Sequence, residues 1–181
     1  MDVVEERFTE LYRRHHDDVW RYVARRVIGS DVSDVVAEVF LVAWRRLADV
    51  PPASVLPWLY GVARLVLANE ARGRQRWREL TLRVAAEPGR SVEDDHADEV
   101  ISQRDVVTAF AQVSDADQEI LRLVAWERLT PTEAAVVLGC TRATFAMRLM
   151  RARRRLRARL DVTADGTSQP SAETPSMNVG G

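Results

Sequence analysis

Apolar residues recur every three or four positions along most of the chain, and no segment shows a convincing alternation of apolar and polar residues. This spacing is typical of amphipathic helices. It predicts a first helix over about 4–27, a second over about 32–48 and a third from about residue 57 to about residue 77. Asp31 is placed to cap the second helix, and Pro51-Pro52 exclude helix from the loop before the third. Three such helices can enclose one small core.

The periodicity fades between Thr81 and Glu99, where AAEPGRSVEDDHADE combines Pro, Gly and acidic residues as a flexible interdomain linker does. It returns near Ser102 and continues through a helix over about 115–127, which Ser114 can cap. Thr130-Pro131-Thr132-Glu133 then has the N-cap, first-turn proline and third-position glutamate of a capping box. After this short helix, Gly139-Cys140 turns the chain and Thr141 caps the last helix. This order is the outline of a helix-turn-helix.

The last helix divides into two faces at about 100° per residue. The apolar residues that should pack on the preceding helices are Phe145, Leu149, Ala152, Leu156 and Leu160. The outward residues are Thr144, Arg148, Arg151 and Arg155, with Met147 at their edge. Arginines on such a face can contact phosphates or pair with guanine edges in the major groove. The competing interpretation is a solvated basic helix, because short helix-turn-helix patterns have many false positives.

Composition narrows the class of protein. With 46% hydrophobic and 29% charged residues the chain can form a core, and no apolar run approaches the roughly 20 residues of a membrane span. The acidic, amphipathic start MDVVEERFTELYRR is unlike a signal peptide, so we expect a cytoplasmic protein without membrane contact of its own. The net charge is −1, yet eight Arg and one Glu give +7 over residues 129–160. Such an asymmetry predicts a local surface for a polyanion.

The sequence contains no convincing catalytic or metal site. His15 and His16 are adjacent and project to different helix faces, so they cannot form an i, i+4 metal pair. His96 lies among linker carboxylates, where solvation is the better interpretation than cation binding. The single cysteine, Cys140, excludes an intramolecular disulfide and is interpreted as a small packing residue. Without a glycine-rich phosphate loop, a catalytic triad or a cysteine metal motif, we predict no enzyme, cofactor, metal or small-molecule substrate.

Whole segments of the chain resemble a known family. FTELYRRHHDDVWRYVARRV, DVSDVVAEVFLVAWRRL and PWLYGVARLVLANEARGRQR follow one another in the first half, and VSDADQEILRLVAWERLTPTEAAVVLGCTRATFAMRLMRARRRL fills the second. In this order they resemble regions 2 and 4 of the extracytoplasmic-function (group IV) sigma factors of bacterial RNA polymerase, in the sigma-70 superfamily. The resemblance implies an initiation factor that binds core RNA polymerase, directs it to minus-35 and minus-10 promoter elements and promotes DNA melting. It also implies an anti-sigma factor as a further partner.

The resemblance assigns roles to three sets of residues. Region 2.2 of the family docks on the polymerase, and its counterpart is one strip of the second helix: Asp34, Glu38, Leu41 and Arg45. Minus-10 recognition and melting fall on loop 49–56 and the helix that carries Arg64, Asn69, Arg72, Arg74 and Arg76. Minus-35 recognition falls on Arg142, Thr144, Met147, Arg148, Met150 and Arg151, to which the outward face adds Arg155. Trp58, Tyr60 and Trp77 could stack on an unpaired base, although core packing is the commoner role for a residue such as Trp58.

We therefore predict an all-α chain of two small helical domains, an N-terminal three- to four-helix bundle and a C-terminal helix-turn-helix domain. A flexible acidic linker joins them and a disordered tail follows. The predicted boundaries are 1–80, 81–101 for the linker, 102–160, and 161–181 for the tail. Two other functions stay open: a stand-alone helix-turn-helix transcription regulator, and a sigma mimic that sequesters an anti-sigma factor. The strip on the second helix favours a sigma factor over the regulator.

Overall fold

A computed structural model of the chain describes residues 3–27, 31–82 and 101–167, with side chains described over 3–27, 31–76 and 106–162. Every regular element in these ranges is helical, which confirms the all-α prediction. The α-helices are α1 (Val3–Ala24), α2 (Val32–Arg45), α3 (Val55–Leu82), α4 (Ile101–Ala111), α5 (Asp115–Ala125), α6 (Pro131–Leu138) and α7 (Arg142–Thr167). Two short 3-10 turns, Leu47–Asp49 and Pro52–Ser54, occupy the loop between α2 and α3. No helix in the described part of the chain has the length and apolar character that crossing a bilayer requires.

The helix starts follow the caps that the sequence predicts. The carboxylate of Asp31 accepts hydrogen bonds from the Ser33 hydroxyl and, at 2.8 Å, from the Ser33 backbone N–H, and these two bonds lower the pKa of Asp31. Thr130 and Glu133 form the reciprocal capping box at α6. Each of these side chains satisfies a backbone donor that a helix start leaves without a partner. Local hydrogen bonding therefore sets where α2 and α6 begin.

The first three helices pack around an apolar core. Its completely or almost completely buried members include Val19, Val23, Val35, Val39 and Leu59. Aromatic rings line the contact between α1 and α2, where Phe8 meets Trp44 edge-on with ring centroids 5.0 Å apart, and Tyr12 meets Phe40 at 4.7 Å. Offset and edge-on ring pairs add stabilisation beyond their buried area. The apolar faces predicted for these helices thus form the interior of the bundle.

The described residues divide into two compact units, and the division does not follow the order of the chain. Segment Arg122–Met147 belongs with the described residues of Met1–Asp95, while His96–Leu121 and the part of the chain from Arg148 onward form the other unit. In the first unit α6 packs on α3, and Gly61 faces the backbone of Val137, where a Cβ would lie at ordinary contact distance. The predicted domain boundaries, 1–80, 81–101, 102–160 and 161–181, remain predictions, since most of the linker and tail lies outside the described residues.

Several helix ends differ from the sequence-based predictions, and α3 runs to Leu82 rather than ending near residue 77. Helix α1 stops at Ala24 rather than near residue 27, and α2 stops at Arg45 because residues 47–49 tighten into a 3-10 turn. Helix α7 continues to Thr167, although residues 161–167 were predicted to belong to the disordered tail. Residues 161–165 contain neither Gly nor Pro, so nothing local interrupts a helix that is already formed. Residues 168–181 and 83–100 lie outside the described ranges.

Candidate nucleic-acid interface

A tight, fully bonded turn joins α6 to α7. Gly139 adopts a φ of +61°, in the left-handed region that glycine enters without a Cβ clash. The N–H of Cys140 donates to the carbonyl of Ala135 at 3.0 Å, and that of Gly139 donates to Val136 at 3.1 Å. These two bonds form a Schellman motif, which satisfies the last carbonyls of α6. Thr141 then accepts from the Thr144 N–H at 3.1 Å, so the direction of α7 is fixed within three residues of the end of α6.

Helix α7 has one buried face and one basic face. Phe145 and Ala152 are completely buried, and Leu149 is 8% exposed, which confirms the first three positions of the predicted apolar stripe. The exposed residues of the predicted DNA-reading set are Arg142, Met147, Arg148, Met150 and Arg151. Met147 and Met150 are 52% and 64% exposed. Exposure of these apolar side chains to water is unfavourable, and contact with a thymine methyl group would remove it. All five residues are exposed along α7.

Two members of the predicted set, Thr144 and Arg155, already have partners in the chain. The Thr144 hydroxyl lies 2.9 Å from that of Thr141, and its side chain is half-buried. Arg155 Nη1 donates to both carboxylate oxygens of Asp117, at 3.0 and 2.8 Å. Asp117 is 5% exposed, so Arg155 neutralises a buried carboxylate. Their DNA contacts remain predictions, and Arg155 would have to serve Asp117 as well.

Sequence reasoning missed Asp117. It lies in the first turn of α5, where an acidic residue is ordinarily explained by the helix dipole, and its backbone N–H meets the Ser114 hydroxyl at 3.3 Å. One signal in the sequence could have indicated its burial. Asp117 lies at helical spacing between Val113 and Ile120, which are both buried. The partner on α7 lies 38 residues away, and no local pattern indicates it.

The residues predicted to contact the minus-10 element are spread along α3. Asn69, Arg72 and Arg76 are exposed, whereas Arg64 and Arg74 are half-buried. Arg72 donates to the side-chain oxygen of Asn69, and Arg74 lies 3.4 Å from the Glu70 carboxylate. Arg64 Nε donates to the carbonyl of Val137 on α6 at 3.3 Å. The predicted set therefore lies on one helix, and three of its arginines have partners within the chain.

The aromatic candidates on α3 differ in accessibility. Tyr60 is 4% exposed and stacks on Tyr22, with ring centroids 4.4 Å apart. Burial raises the pKa of Tyr60 above its usual range, and the nearby charge of Glu127 adds to the rise. Trp58 is half-buried, with the Arg46 guanidinium 5.9 Å from its ring centroid. Tyr60 is thus a core residue in this structure, and the side chain of Trp77 lies outside the described part.

The strip on α2 that sequence assigned to polymerase docking is exposed along its length. Its members are Asp34, Glu38, Leu41 and Arg45. Leu41 is 40% exposed, and Trp44 beside it is 43% exposed. The opposite side of the helix is completely or nearly completely buried. An apolar side chain held between charges on an exposed face is typical of a protein contact surface rather than of a purely solvated helix.

The described residues contain no group of three or more His, Cys, Asp or Glu side chains that could hold a metal ion. His15 is partly buried, and this burial, with the charge of Arg14, lowers its pKa. His16 Nδ1 lies 3.1 Å from the Asp17 carboxylate, and Cys140 is a half-buried free thiol. His96 lies outside the described residues.

The chain is similar to known protein families and to several known proteins. Family models for sigma-70 region 2 and sigma-70 region 4 match residues 11–77 and 103–156. The ECF RNA polymerase sigma factor SigC of Mycobacterium tuberculosis is 33% identical over 141 residues, which are 75% of this chain and 74% of that protein. The probable RNA polymerase sigma factor RfaY of Xanthomonas campestris is 31% identical over 157 residues, which are 83% of this chain but 38% of that longer protein.

Among solved structures, the sigma factor RpoE of Bartonella quintana, in a complex with the anti-sigma factor NepR, has a TM-score of 0.61. That alignment covers 86% of this chain and 97% of RpoE. At 20% sequence identity the likeness concerns the fold alone.

Proposed function

The chain is an ECF sigma factor of the sigma-70 family with regions 2 and 4, and we propose that it binds core RNA polymerase through α2 and reads promoter DNA with α3 and α7. Members of this family are non-enzymatic transcription factors that direct RNA polymerase to promoters. In this proposal region 2 recognises and melts the minus-10 element, and region 4 recognises the minus-35 element. We place this activity in the cytoplasm, where core polymerase and DNA are found.

The observation that carries the proposal is the outward face of α7. Arg142, Arg148 and Arg151 are exposed and form no hydrogen bond or ion pair with any described residue. A guanidinium that is solvated in the free protein can exchange water for a phosphate or a guanine edge without breaking a protein contact. Phe145 and Leu149 are buried and form the apolar side of the helix. This division of the helix supports reading of the major groove by its N-terminal half.

Polymerase docking is assigned to the α2 strip because of the chemistry of Leu41. Leu41 is 40% exposed, and a partner protein would bury it. The exposed Asp34, Glu38 and Arg45 can form a charged rim around it. A few buried residues near the centre of an interface contribute most of its binding energy, and rim charges chiefly set orientation and association rate. An anti-sigma factor is the second protein partner that we propose, in line with the complex in which the Bartonella quintana protein was solved.

The test is runoff transcription by purified core polymerase with the full chain, on a library of random promoters. We expect selected templates to share one upstream and one downstream element, and permanganate footprinting to detect an opened downstream element. DNA binding by the chain without any polymerase association would contradict the proposal and support a stand-alone regulator. Binding of an anti-sigma factor without polymerase binding or transcription would support a sigma mimic.

A matched pair of variants tests the docking surface. Leu41→Asp should weaken binding to core polymerase about tenfold or more, which corresponds to about 1.4 kcal/mol. Arg13→Asp, an exposed change on α1 outside the strip, should leave binding unchanged. Equal effects of the two substitutions would contradict docking through α2.

A further inference from the structure

An open cavity of about 470 Å³ lies beside the end of α5. Four described residues line it: Arg25, Ala125, Trp126 and Arg128. All four belong to the same compact unit of the chain. The volume falls within the range of roughly 300–1,000 Å³ that is usual for small-molecule sites. The lining combines two guanidinium groups with one large aromatic ring, and the proposed polymerase and promoter contacts use none of these residues.

Trp126 exposes its indole ring directly after the last residue of α5. The side chain is 47% exposed, although tryptophan is among the residues that gain most from burial. The Arg122 guanidinium, one helical turn earlier, lies over the ring at 5.5 Å from its centroid. A cation at this distance is attracted to the face of an aromatic ring. This contact restrains the indole, and nearly half of the side chain remains accessible to a ligand.

The backbone conformation of Arg128 is unusual for its residue type. The Leu129 N–H donates to the Leu123 carbonyl at 3.0 Å, so the chain turns at the end of α5. Within this turn Arg128 has a φ of +53°, and no other non-glycine residue in the described part of the chain has a positive φ. The left-handed region is costly for a residue with a Cβ, and glycine enters it without that cost. Glycine at position 128 would therefore serve the fold better than arginine does.

The guanidinium groups of Arg25 and Arg128 give the cavity its charge. Arg128 is exposed and forms no hydrogen bond or ion pair with any described residue. The Arg25 side chain is 38% exposed, and its Nη1 donates to Oε2 of Glu127 at 3.0 Å. Glu127 is itself 3% exposed and also accepts from Arg26 at 2.8 Å, so two cations offset its single charge. The cavity therefore has an excess of positive charge for an anionic ligand.

Two features of the lining together indicate the class of ligand. Phosphate oxygens accept the N–H groups of a guanidinium, which can bind two oxygens at once. An exposed indole provides a surface on which a nucleobase can stack, and stacking accepts any base because every base has a π face. A nucleoside phosphate carries both groups, joined by a ribose. The described lining has no carboxylate or amide side chain that could read the edge of the base.

We propose that Arg25, Trp126 and Arg128 form a binding site for a free nucleoside triphosphate, with the base stacked on Trp126 and the phosphates bound by the two arginines. The site selects nucleoside triphosphates as a class and does not select among bases. The size of the cavity favours a free nucleotide, since a nucleic-acid strand is bound along a charged groove that extends over several phosphates. The inference does not rest on the proposed function, because it requires neither polymerase nor promoter DNA.

Isothermal titration calorimetry of the full chain with ATP, without polymerase or DNA, tests the site. We expect saturable binding of one ATP per chain, and GTP should bind within about threefold of ATP because the base is recognised by stacking alone. Adenosine and inorganic triphosphate should each bind at least about tenfold more weakly, since each lacks one of the two recognised groups. Absence of ATP binding at millimolar concentration would overturn the proposal, as would binding of either fragment as tightly as ATP.

Arg128→Gly separates loss of the ligand contact from damage to the fold. The substitution removes the guanidinium and lets residue 128 adopt its positive φ without a Cβ. The variant should melt at the original temperature or a higher one, yet bind ATP at least about tenfold more weakly. Arg153→Ala, which removes an exposed arginine from α7, is the control and should leave ATP binding unchanged. Unchanged ATP binding in Arg128→Gly, or an equal loss in Arg153→Ala, would overturn the site.

Variants of Trp126 test the stacking contact. Trp126→Ala should weaken ATP binding by about tenfold, and Trp126→Phe, which keeps a smaller ring, should retain most of the affinity. Inorganic triphosphate should bind equally to both variants, because it makes no stacking contact. An equal loss of ATP binding in the two variants would contradict stacking of the base on this residue.

Competition with a short single-stranded oligodeoxyadenylate distinguishes a free nucleotide from a nucleic-acid strand. We expect GTP to displace ATP at lower concentration than the oligonucleotide does. The reverse order, lost in Arg128→Gly, would assign these residues to a nucleic-acid strand and overturn the nucleotide site. A chain that binds ATP as expected but never supports transcription would overturn the proposed function and leave the nucleotide site intact.

Discussion

The two longest described helices, α3 with 28 residues and α7 with 26, are both rich in arginine but hold it differently. On α7, Arg148 and Arg151 stand exposed without a described partner. On α3, Arg64 is bonded to a carbonyl, Arg72 to an amide and Arg74 to a carboxylate. An arginine that already donates to a partner has fewer N–H groups available for a phosphate. The number of arginines on a helix is therefore a poor measure of its surface for DNA.

The sequence of each helix explains this difference. Helix α3 contains Glu70 four residues before Arg74, the spacing at which opposite charges meet on a helix surface. Between residues 142 and 160, α7 contains no acidic residue. The carboxylate of Asp117 comes from α5 and engages Arg155, beyond the N-terminal half that is proposed to read DNA. The basic face of α7 is thus left to an external anion.

The largest expected effect comes from removing a buried side chain on the apolar side of α7. Phe145→Ala should lower the free energy of unfolding by about 3–5 kcal/mol, because the ring is completely buried and its removal leaves a cavity. Met147→Ala, two residues away and 52% exposed, should change it by less than about 0.5 kcal/mol. Urea unfolding of both variants measures the difference. Similar losses would mean that α7 does not have one buried and one outward face.

The next effect concerns the outward face itself. Arg148→Ala or Arg151→Ala should weaken binding of the holoenzyme to minus-35 duplex DNA by about 1–3 kcal/mol if the arginine pairs with a base, without loss of protein stability. Arg153→Ala, exposed but on neither face, is the control and should have little effect. Fluorescence anisotropy on substituted duplexes distinguishes the contacts. An equal loss on every sequence would assign the arginine to a phosphate.

The smallest expected effect is a difference in the salt dependence of DNA binding between variants at two arginines of α3. Arg76→Ala should reduce the slope of log affinity against log salt for single-stranded minus-10 DNA by about 0.7, the value for one phosphate contact. Arg74→Ala should reduce it less, because this guanidinium already lies 3.4 Å from Glu70. Titrations of the holoenzyme at several salt concentrations give both slopes. A larger effect at Arg74 would contradict the view that internal partners limit DNA contact on α3.

Local signals in the sequence were sufficient for the helices and their faces. The caps at Asp31 and Thr130 and the turn at Gly139 involve groups within a few residues of one another, so the sequence contains both partners of each bond. The exposed strip on α2 follows from the same periodicity that buries Val35 and Val39. Family resemblance supplied the functional roles, which the pattern alone left undecided between a regulator and a sigma factor.

Ion pairs between residues far apart in the chain could not be predicted from the sequence. Glu127 and Asp117 look like solvated acidic residues on amphipathic helices, yet both are buried, because partners 102 and 38 residues away reach them. The sequence also placed the predicted boundary between the two domains in the acidic linker. It gave no indication that α6 would pack on α3, because Gly61 and Val137, which meet there, are far apart in the sequence.

The positive charges on the exposed face of α7 are all guanidinium groups, because the sequence contains twenty-six arginines and no lysine. A guanidinium stays protonated at every pH that a living cell reaches, and it has no amine for an acetyl group. The positive charge offered to DNA is consequently permanent: neither acidification nor lysine acetylation can lower it. Control of such a surface has to come from what covers it or from where the chain holds it.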